Sequence, residues 1–546
     1  RARRRAVGFS PAPASDRRQA DAFRITKGIA RSKGFCMDPK HLQSKIAAGL
    51  AASLLFLAVA GCTTPTPQPA FVPPGGGAGP QATANAALPF LPPTRVPGSP
   101  ILTPTPDSSH SPPSLRTQTD TYVVQSGDTL ARIAQRFGID LNTLVSANGI
   151  ANPNLLEVGQ VLTVPPPQPT AAAPDFKIIP DSELVYGPVS VTLDLESFIN
   201  DTAGYLSHYT EEINGVVFTG AEIVADVSRD HSVNPRLLLA ILEYQSGWVT
   251  QTQPPEETLE YPLRYPHPSY QKLYRQLYWA ANNLNRGYYL WRVDALPSLI
   301  LTDSSVIPAN ATVNAGTACV QYLMSLLDDQ TAWRTAVSAE GVFATYQRLF
   351  GYPFDLAIEP IVPPGLTQPA MQLPFEPGAV WSFTGGPHEG WADGSAWAGI
   401  DFAPPGEALG CVSSDAWVVA VADGVVTRSD SGVVIQDLDG DGYEQTGWTV
   451  LYLHIESRDR VQKGTLLKAG ERIGHPSCEG GIATGTHVHL ARRYNGEWIP
   501  ADGPLPFNLD GWISAGFGIE YDGTLTRDGQ VVEAWEGRRT ENQIQR

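Results

Sequence analysis

Near its C-terminal end, this 546-residue chain carries four histidines and one aspartate whose side chains are of the types that bind metal ions. They are His388, Asp401, His454, His487 and His489. Zn²⁺ binds imidazole nitrogen and carboxylate oxygen, and a hydrolytic zinc site uses three protein ligands and leaves a fourth position for water. We therefore expect three of the five side chains to bind one zinc ion, with two histidines left for proton transfer.

The spacing of His487 and His489 indicates the backbone that carries them. Residues i and i+2 point to the same face of a β-strand, whereas on a helix they lie about 200° apart. Runs rich in Val, Ile, Trp and Tyr, broken by Asp-Gly and Ser-Gly turns, surround this pair. Residues 371–515 are therefore predicted to form an antiparallel β-sheet domain with both imidazoles facing one cleft.

The motifs around these residues resemble those of the lysostaphin-type zinc endopeptidases, which cut peptidoglycan peptides. The motifs stand in the family's order: Gly386-Pro-His388, Gly399-Ile-Asp-Phe402, Tyr452-Leu-His454 and Gly485-Thr-His487-Val-His489. The resemblance implies that His388, Asp401 and His489 are the zinc ligands. It also implies that His454 and His487 are the two catalytic histidines.

The first ligand departs from the usual pattern of that family. Most members place it in the motif His-x-Gly-x-Asp, and the corresponding residue here is Trp397. His388 lies further upstream of Asp401, with a longer spacing similar to that of the staphylolysin branch of the family. We therefore expect an insertion between the first two ligands, and an intact site.

The two cysteines of this segment, Cys411 and Cys478, are expected to pair in an oxidising compartment. Such a disulfide would stiffen the loops beside the cleft.

The segment Asp437-Leu-Asp439-Gly-Asp441 has the alternating carboxylates of a calcium-binding loop. The twelfth position of an EF-hand would be Trp448 in place of Glu, which excludes a complete EF-hand. We therefore favour a solvated hairpin tip, with a Ca²⁺ site as the alternative.

Residues 120–166 read as a short strand, two short amphipathic helices and a second short strand. The opening Val123-Val-Gln-Ser-Gly-Asp-Thr-Leu130 and the closing Val158-Gly-Gln-Val-Leu-Thr-Val-Pro165 resemble the LysM module. The resemblance implies binding to glycan that contains N-acetylglucosamine, here peptidoglycan.

Residues 176–365 are predicted to be mostly helical. The stretch from Val233 to Trp248 resembles the catalytic helix of lysozyme-like lytic transglycosylases, but Gln245 replaces the catalytic Glu. An amide cannot act as the proton donor, and Glu243 lies on another side of the helix. We expect a lysozyme-like domain that does not cleave glycan, with glycan cleavage through Glu243 as the alternative.

The N-terminal part is expected to carry an export signal. Residues 37–62 contain Lys40 and Lys45, an apolar run and Val59-Ala-Gly-Cys62, which read as a signal peptide and resemble the lipobox of bacterial lipoproteins. The resemblance implies a lipid on Cys62 and an exported protein anchored to the membrane at the cell envelope. The alternative is an uncleaved membrane anchor, since the apolar run is near the lower length limit for a spanning helix. Residues 1–36 are expected to be a mis-read upstream extension.

Two stretches rich in Pro and small polar residues, 63–119 and 167–175, are predicted to be linkers because they cannot bury a core. The formal charge is −17, and removing the +8 of residues 1–36 leaves −25. An acidic exported body argues against nucleic acid as a partner.

The sequence therefore predicts a multidomain α+β protein: a LysM module, a helical lysozyme-like domain, an antiparallel β-sheet metallopeptidase domain and a tail at 516–546. The expected function is that of a cell-wall zinc metalloendopeptidase whose partner is peptidoglycan, bound as glycan by the LysM module and as peptide by the zinc domain. The alternatives are a non-catalytic lipoprotein that regulates other cell-wall hydrolases and a bifunctional hydrolase that also cleaves glycan.

Overall fold

The structure is a computed structural model that describes residues 110–112, 114–125, 128–169, 171–406 and 408–546. The predictions of an upstream extension, a signal peptide and a lipidated Cys62 lie outside the described residues. Within the described ranges, no helix has the length and apolar character needed to span a membrane. The described chain contains helices and antiparallel sheets around separate cores, so the predicted multidomain α+β class is confirmed.

The first part has the predicted order of strand, helix, helix and strand. Its elements are β1 (Asp120–Val123), α1 (Leu130–Arg136), α2 (Leu141–Ala147) and β2 (Val161–Val164). The two strands pair antiparallel, and Leu144 and Leu162 are fully buried between strands and helices. Asp140 caps α2 by accepting a hydrogen bond from the Thr143 amide.

The segment predicted as a second linker, 167–175, contacts the domain that follows it at Ala173. Ala173 is buried, and its amide donates to the carbonyl of Pro308 at 2.9 Å. The amide side chain of Asn310 donates to the Ala173 carbonyl. A small side chain and satisfied backbone groups allow this segment to lie against the protein.

The middle domain is mainly helical, with two short hairpins. Its helices are α3 (Leu195–Thr202), α4 (Gly220–His231), α5 (Pro235–Ser246), α6 (Lys272–Arg292), α7 (Ala315–Ser325), α8 (Gln330–Ala336) and α9 (Val342–Phe350). Its strands are β3 (Thr210–Ile213), β4 (Val216–Thr219), β5 (Ser298–Ile300) and β6 (Val306–Pro308). Asn234 caps α5 and Pro235 fits its first turn, where no amide donor is needed.

The C-terminal domain is built on an antiparallel nine-stranded sheet. Its strands are β7 (Val380–His388), β8 (Gly399–Ala403), β10 (Gly424–Asp430), β11 (Val433–Asp437), β12 (Trp448–Leu453), β13 (Leu466–Leu467), β15 (Val488–Tyr494), β16 (Glu497–Trp498) and β21 (Gln543–Gln545). The successive neighbours in the sheet are β13, β10, β11, β12, β15, β8, β7 and β21, and β16 also pairs with β15. Buried Phe383, Ile400, Phe402 and Leu490 lie in its core.

Two smaller sheets complete this domain. A pair is formed by β9 (Val418–Val419) and β14 (Arg472–Gly474), and a four-stranded sheet by β17 (Asn508–Leu509), β18 (Trp512–Gly516), β19 (Gly523–Arg527) and β20 (Gln530–Glu533).

The prediction that residues 516–546 form a tail is wrong. Strands β19 and β20 extend the four-stranded sheet, and β21 pairs with β7 at the edge of the main sheet. Leu525 and Ile544 are buried. Short strands with few apolar residues give a weak sequence signal, and hydrogen bonds to a distant partner strand stabilise them.

The middle domain packs on the C-terminal domain through buried charged groups. Arg428 contacts Asp230 of α4 at 2.5 Å and Glu444 at 3.6 Å, and Arg493 contacts Glu444 at 3.0 Å. The backbone carbonyl of His231 accepts a hydrogen bond from the indole of Trp498. The four charges offset one another away from water, because each has at least one opposite partner.

Candidate metal centre

The main sheet brings the three predicted ligands together through its register. Strands β7, β8 and β15 are adjacent, with β8 in the middle. His388 lies opposite Gly399, and His489 lies opposite Asp401. His489 is 88 residues away from Asp401 in sequence, and strand pairing places it beside the other two residues.

The three donor atoms converge. The distances are 2.9 Å between His388 Nε2 and His489 Nδ1, 3.0 Å between His489 Nδ1 and Asp401 Oδ1, and 3.3 Å between His388 Nε2 and Asp401 Oδ1. In a tetrahedral zinc site with bonds of about 2.0–2.1 Å, ligand atoms stand roughly 3.3 Å apart. The spacing of these three atoms therefore fits one face of such a site.

The backbone determines which ring nitrogens face the centre. His388 Nδ1 contacts the Gly386 carbonyl at 2.8 Å, and His489 Nε2 contacts the Gly390 carbonyl at 3.2 Å. A carbonyl oxygen only accepts, so these nitrogens carry the protons and the opposite nitrogens present lone pairs. Two nitrogen lone pairs and a carboxylate oxygen that face one another repel unless a cation lies between them. Histidines that bind a metal ion commonly donate the proton of their other ring nitrogen to a backbone carbonyl in this way.

The ionisation of Asp401 agrees with its proposed role as a ligand. Burial raises the pKa of Asp401, but His388 and His487 outweigh that effect and hold it well below the usual range. Burial lowers the pKa of His388, and the carboxylate of Asp401 more than offsets it, so the net pKa is raised. For His489 burial prevails and lowers the pKa. Asp401 is therefore ionised and available as a ligand.

The two predicted catalytic histidines lie beside this centre. The ring centroids of His454 and His487 are 4.4 Å apart, and His487 Nε2 is 3.8 Å from Asp401 Oδ2. Their Nδ1 atoms donate to the carbonyls of Glu479 and Gly485, at 2.8 and 2.7 Å. Each Nε2 is therefore left to exchange a proton or accept a hydrogen bond.

His454 has two unusual properties. It is buried, and burial together with the nearby His487 lowers its pKa to about 3. Its backbone has φ of 66°, in the left-handed region that non-glycine residues rarely adopt. Such strain is found where a side chain must be aimed in one direction, here into the cleft.

Cys411 and Cys478 form a disulfide in the structure, with Cα atoms 5.7 Å apart. Cys478 precedes Glu479, whose carbonyl orients His454. On the other side of the bridge, the Thr486 amide donates to the Gly410 carbonyl. The bridge therefore joins the two loops that orient the histidine pair.

Sequence reasoning missed three residues of this centre. Gly399 has no side chain where the His489 ring lies, and a Cβ on Gly385 would come within 2.7 Å of Asp401 Oδ2. The ring of Tyr521 stacks on His388 with centroids 4.2 Å apart. Gly399 begins one of the quoted motifs and Gly385 directly precedes another, whereas Tyr521 lay in the segment predicted as a tail.

Trp397, at the usual position of the first ligand, and the aspartate-rich loop make other contacts in the structure. The Trp397 carbonyl accepts from the Ala501 amide at 2.7 Å. The carboxylates of Asp437, Asp439 and Asp441 lie close enough to hold one ion. Asp437 accepts from the Gly442 amide at 2.8 Å, and Asp441 accepts from the Tyr443 amide at 2.8 Å and from the Thr446 hydroxyl, so the loop satisfies its own carboxylates.

In the middle domain, Glu243 is fully engaged. Its carboxylate accepts from the amides of Val249 and Thr250 and from the Thr250 hydroxyl, and it pairs with Arg348 at 2.9 Å. Gln245 is buried and contacts the Met324 sulfur. A carboxylate with this many partners stabilises a helix end and is poorly placed to donate a proton to a glycan.

Three segments of the chain match known protein families. Residues 122–165 match the LysM domain, residues 177–362 match the N-terminal domain of LasA, and residues 395–500 match peptidase family M23. The last match includes Asp401, His454, His487 and His489 but begins after His388.

Similar proteins include Protease LasA of Pseudomonas aeruginosa (strain UCBPP-PA14), which is 26% identical over 351 residues, 59% of this chain and 75% of that protein. Beta-lytic metalloendopeptidase of Lysobacter enzymogenes is 26% identical over 167 residues, 29% of this chain and 90% of that protein. Among solved structures, the M23 metalloprotease pseudoalterin is 24% identical, with a TM-score of 0.25, and the match covers 31% of this chain and 96% of that one.

Proposed function

We propose that this chain, which combines a LysM domain, a LasA N-terminal domain and a peptidase family M23 domain, is a zinc metalloendopeptidase that hydrolyses peptide bonds of peptidoglycan. The observation that carries the proposal is the convergence of two imidazole lone pairs and one carboxylate oxygen, with two further histidines beside them. The kinship with Protease LasA and Beta-lytic metalloendopeptidase supports the same reaction.

His388 Nε2, Asp401 Oδ1 and His489 Nδ1 would hold the ion. Zinc in such a site supplies a Lewis acid that acidifies a water molecule and polarises the scissile carbonyl. The Nε2 atoms of His454 and His487 face the same cleft, so one accepts the proton of the attacking water. The other donates to the oxyanion or to the leaving amine.

The test compares zinc content and muropeptide digestion in the wild type, His388→Ala and Trp397→Ala. We expect His388→Ala to lose zinc and activity, because it removes one of three donors. Trp397→Ala should keep its zinc, because His388 fills the place of the first ligand. Full zinc occupancy in His388→Ala would show that the ligand assignment is wrong.

The LysM domain would bind the glycan strand while the zinc domain cuts the attached peptide. Tethering the two sites to one chain raises the effective concentration of peptide at the zinc site. Deleting residues 120–166 should therefore weaken binding to insoluble peptidoglycan while the rate on soluble muropeptides stays unchanged. A deletion that slows both reactions equally would argue against this division of labour.

We further propose that the protein is an exported lipoprotein, with a signal peptide at 37–62 and lipid on Cys62 that anchors it to the membrane at the cell envelope. Metabolic labelling with a fatty acid tests this. The wild type should incorporate label and fractionate with membranes, and Cys62→Ala should do neither. An unlabelled wild type would refute the anchor.

The remaining proposals concern the middle domain and the aspartate loop. We propose that the middle domain is lysozyme-like and not catalytic, because Gln245 holds the position of the acid and Glu243 is engaged by Arg348. Release of sugar fragments that Glu243→Ala abolishes would overturn this. For the loop at 437–441 we retain the solvated turn, with Ca²⁺ as the alternative, and calcium titration of the full chain decides between them.

A further inference from the structure

The loop between the first two proposed zinc ligands, residues 389–398, is held by a helix of another domain. Asp393 lies at its exposed tip and pairs with Arg286 of α6 at 2.7 Å. Asn282, one turn earlier on the same face of α6, donates to the other oxygen of that carboxylate at 2.5 Å. Arg286 also donates to the Asp393 backbone carbonyl at 3.0 Å.

The backbone next to Asp393 lies directly against the same helix. A Cβ on Gly394 would collide with the backbone carbonyl of Asn282. At the far end of this contact, the Tyr289 hydroxyl accepts a hydrogen bond from the Trp498 amide at 3.1 Å. The loop itself is thus held by one turn of α6, from Asn282 to Arg286, and Tyr289 further along the helix holds the adjacent strand β16.

The same loop supplies the outer partner of one zinc ligand. The Gly390 carbonyl accepts the proton of His489 Nε2 and so turns His489 Nδ1 toward the centre. Gly390 is fixed in turn, because its amide donates to the Ala396 carbonyl and the Trp498 ring covers it. A displaced loop would move this carbonyl and, with it, the lone pair of the ligand.

We infer that Asp393, Arg286 and Asn282 are positioning residues for the metal centre, through which the middle domain fixes the geometry of the zinc ligands. The inference rests on the proposed zinc site and extends it: metal retention depends on contacts with a domain that supplies no ligand. Outer partners of ligands, when removed, cost about 10–100-fold in metal affinity. Asp393 acts on the ligand through the loop, one step further out, so its removal should lower the zinc affinity roughly 3- to 10-fold.

The test uses the full chain and measures the zinc dissociation constant by competition with a chelator. Asp393→Ala and Arg286→Ala should each weaken zinc binding by roughly 3- to 10-fold, and Arg286→Lys should restore part of it because the charge is kept. Gly394→Ala should act in the same direction by pushing the loop off α6. Arg275→Ala, an exposed position on the same helix, is the matched control and should leave zinc binding unchanged.

A second control separates positioning from general docking of the domains. Asp230→Asn weakens the Arg428 contact at the same interface without touching the loop, and should leave zinc affinity near that of the wild type. At saturating zinc, Asp393→Ala should recover most of its kcat. Hydrogen exchange of residues 389–398 should be faster in Asp393→Ala than in the wild type.

Zinc affinity within twofold of the wild type in both Asp393→Ala and Arg286→Ala would overturn the inference. Equal loss in Asp230→Asn would also overturn it, since the effect would then belong to docking as a whole. A wild type that binds no zinc would refute the proposed function itself, and hydrogen exchange of the loop would still decide whether α6 holds it.

Discussion

Replacing His231 should make the stability of the protein less sensitive to acid. His231 is the last residue of α4, and its imidazole is fully buried against the Tyr278 ring, with centroids 4.4 Å apart. Among the described residues, neither ring nitrogen has a hydrogen-bond partner. Burial therefore lowers the pKa of His231 from 6.5 to about 3, and the carboxylate of Asp393 offsets this only in part.

The sign of the effect follows from proton uptake. Between pH 6.5 and about 3 the folded protein keeps His231 neutral, whereas the unfolded chain protonates it. The unfolded state therefore binds more protons, and the free energy of unfolding falls as the pH drops. Each pH unit below 6.5 costs at most about 1.4 kcal/mol, so His231 removes about 2 kcal/mol at pH 5 relative to neutral pH.

The measurement is urea unfolding of zinc-free wild type and His231→Phe at pH 7 and pH 5, followed by far-ultraviolet circular dichroism. Phenylalanine keeps an aromatic ring against Tyr278 and does not titrate. Other groups, including His454, titrate alike in both proteins and cancel in the difference. The loss of stability between the two pH values should be about 2 kcal/mol smaller in the variant. Equal losses of stability between pH 7 and pH 5 in the wild type, His231→Phe and His231→Leu would refute the reasoning.

Further predictions concern the cleft, the ligands and the interface between domains. The double variant Cys411→Ser, Cys478→Ser should keep one zinc per chain but lower kcat roughly tenfold, because the loops that orient the histidine pair are freed. Metal analysis and muropeptide digestion check this prediction, and an unchanged kcat would contradict it. Gly399→Ala should abolish zinc binding, because the new Cβ overlaps the ring of His489. A variant with normal zinc content would show that the strand can shift. Arg428→Ala should cost about 3 kcal/mol or more in thermal or urea unfolding, because it leaves half-buried Asp230 and buried Glu444 short of a positive partner. A smaller loss would mean that water enters the interface.

Much of the fold was predictable because its signals are local. The LysM segment has its turn residues and alternating apolar positions within one short stretch, and the structure has the predicted strand, helices and strand. The tail prediction failed for the opposite reason. Strand β21 is only Gln543–Gln545, and what makes it a strand is hydrogen bonding to β7, more than a hundred residues away in sequence.

The types and spacing of the residues identified which side chains face the metal centre. They did not identify which atom of each side chain points toward it. The pattern around His487 and His489 predicts one face of a strand, since alternation is a local property of β backbone. Which nitrogen of His489 points inward depends on the Gly390 carbonyl. That carbonyl belongs to a loop whose position is set by α6 of the middle domain.

The sequence by itself determined the chemistry: the donor types, their order along the chain and the modular composition are all written in short motifs. The tertiary structure alone decided the geometry: the adjacency of β7, β8 and β15, and the contact of α6 with the loop at Asp393. The physical reason is that a ligand's type belongs to one residue. Its distance to the next ligand is set by strand pairing and packing between segments that are remote in sequence, which no local pattern encodes.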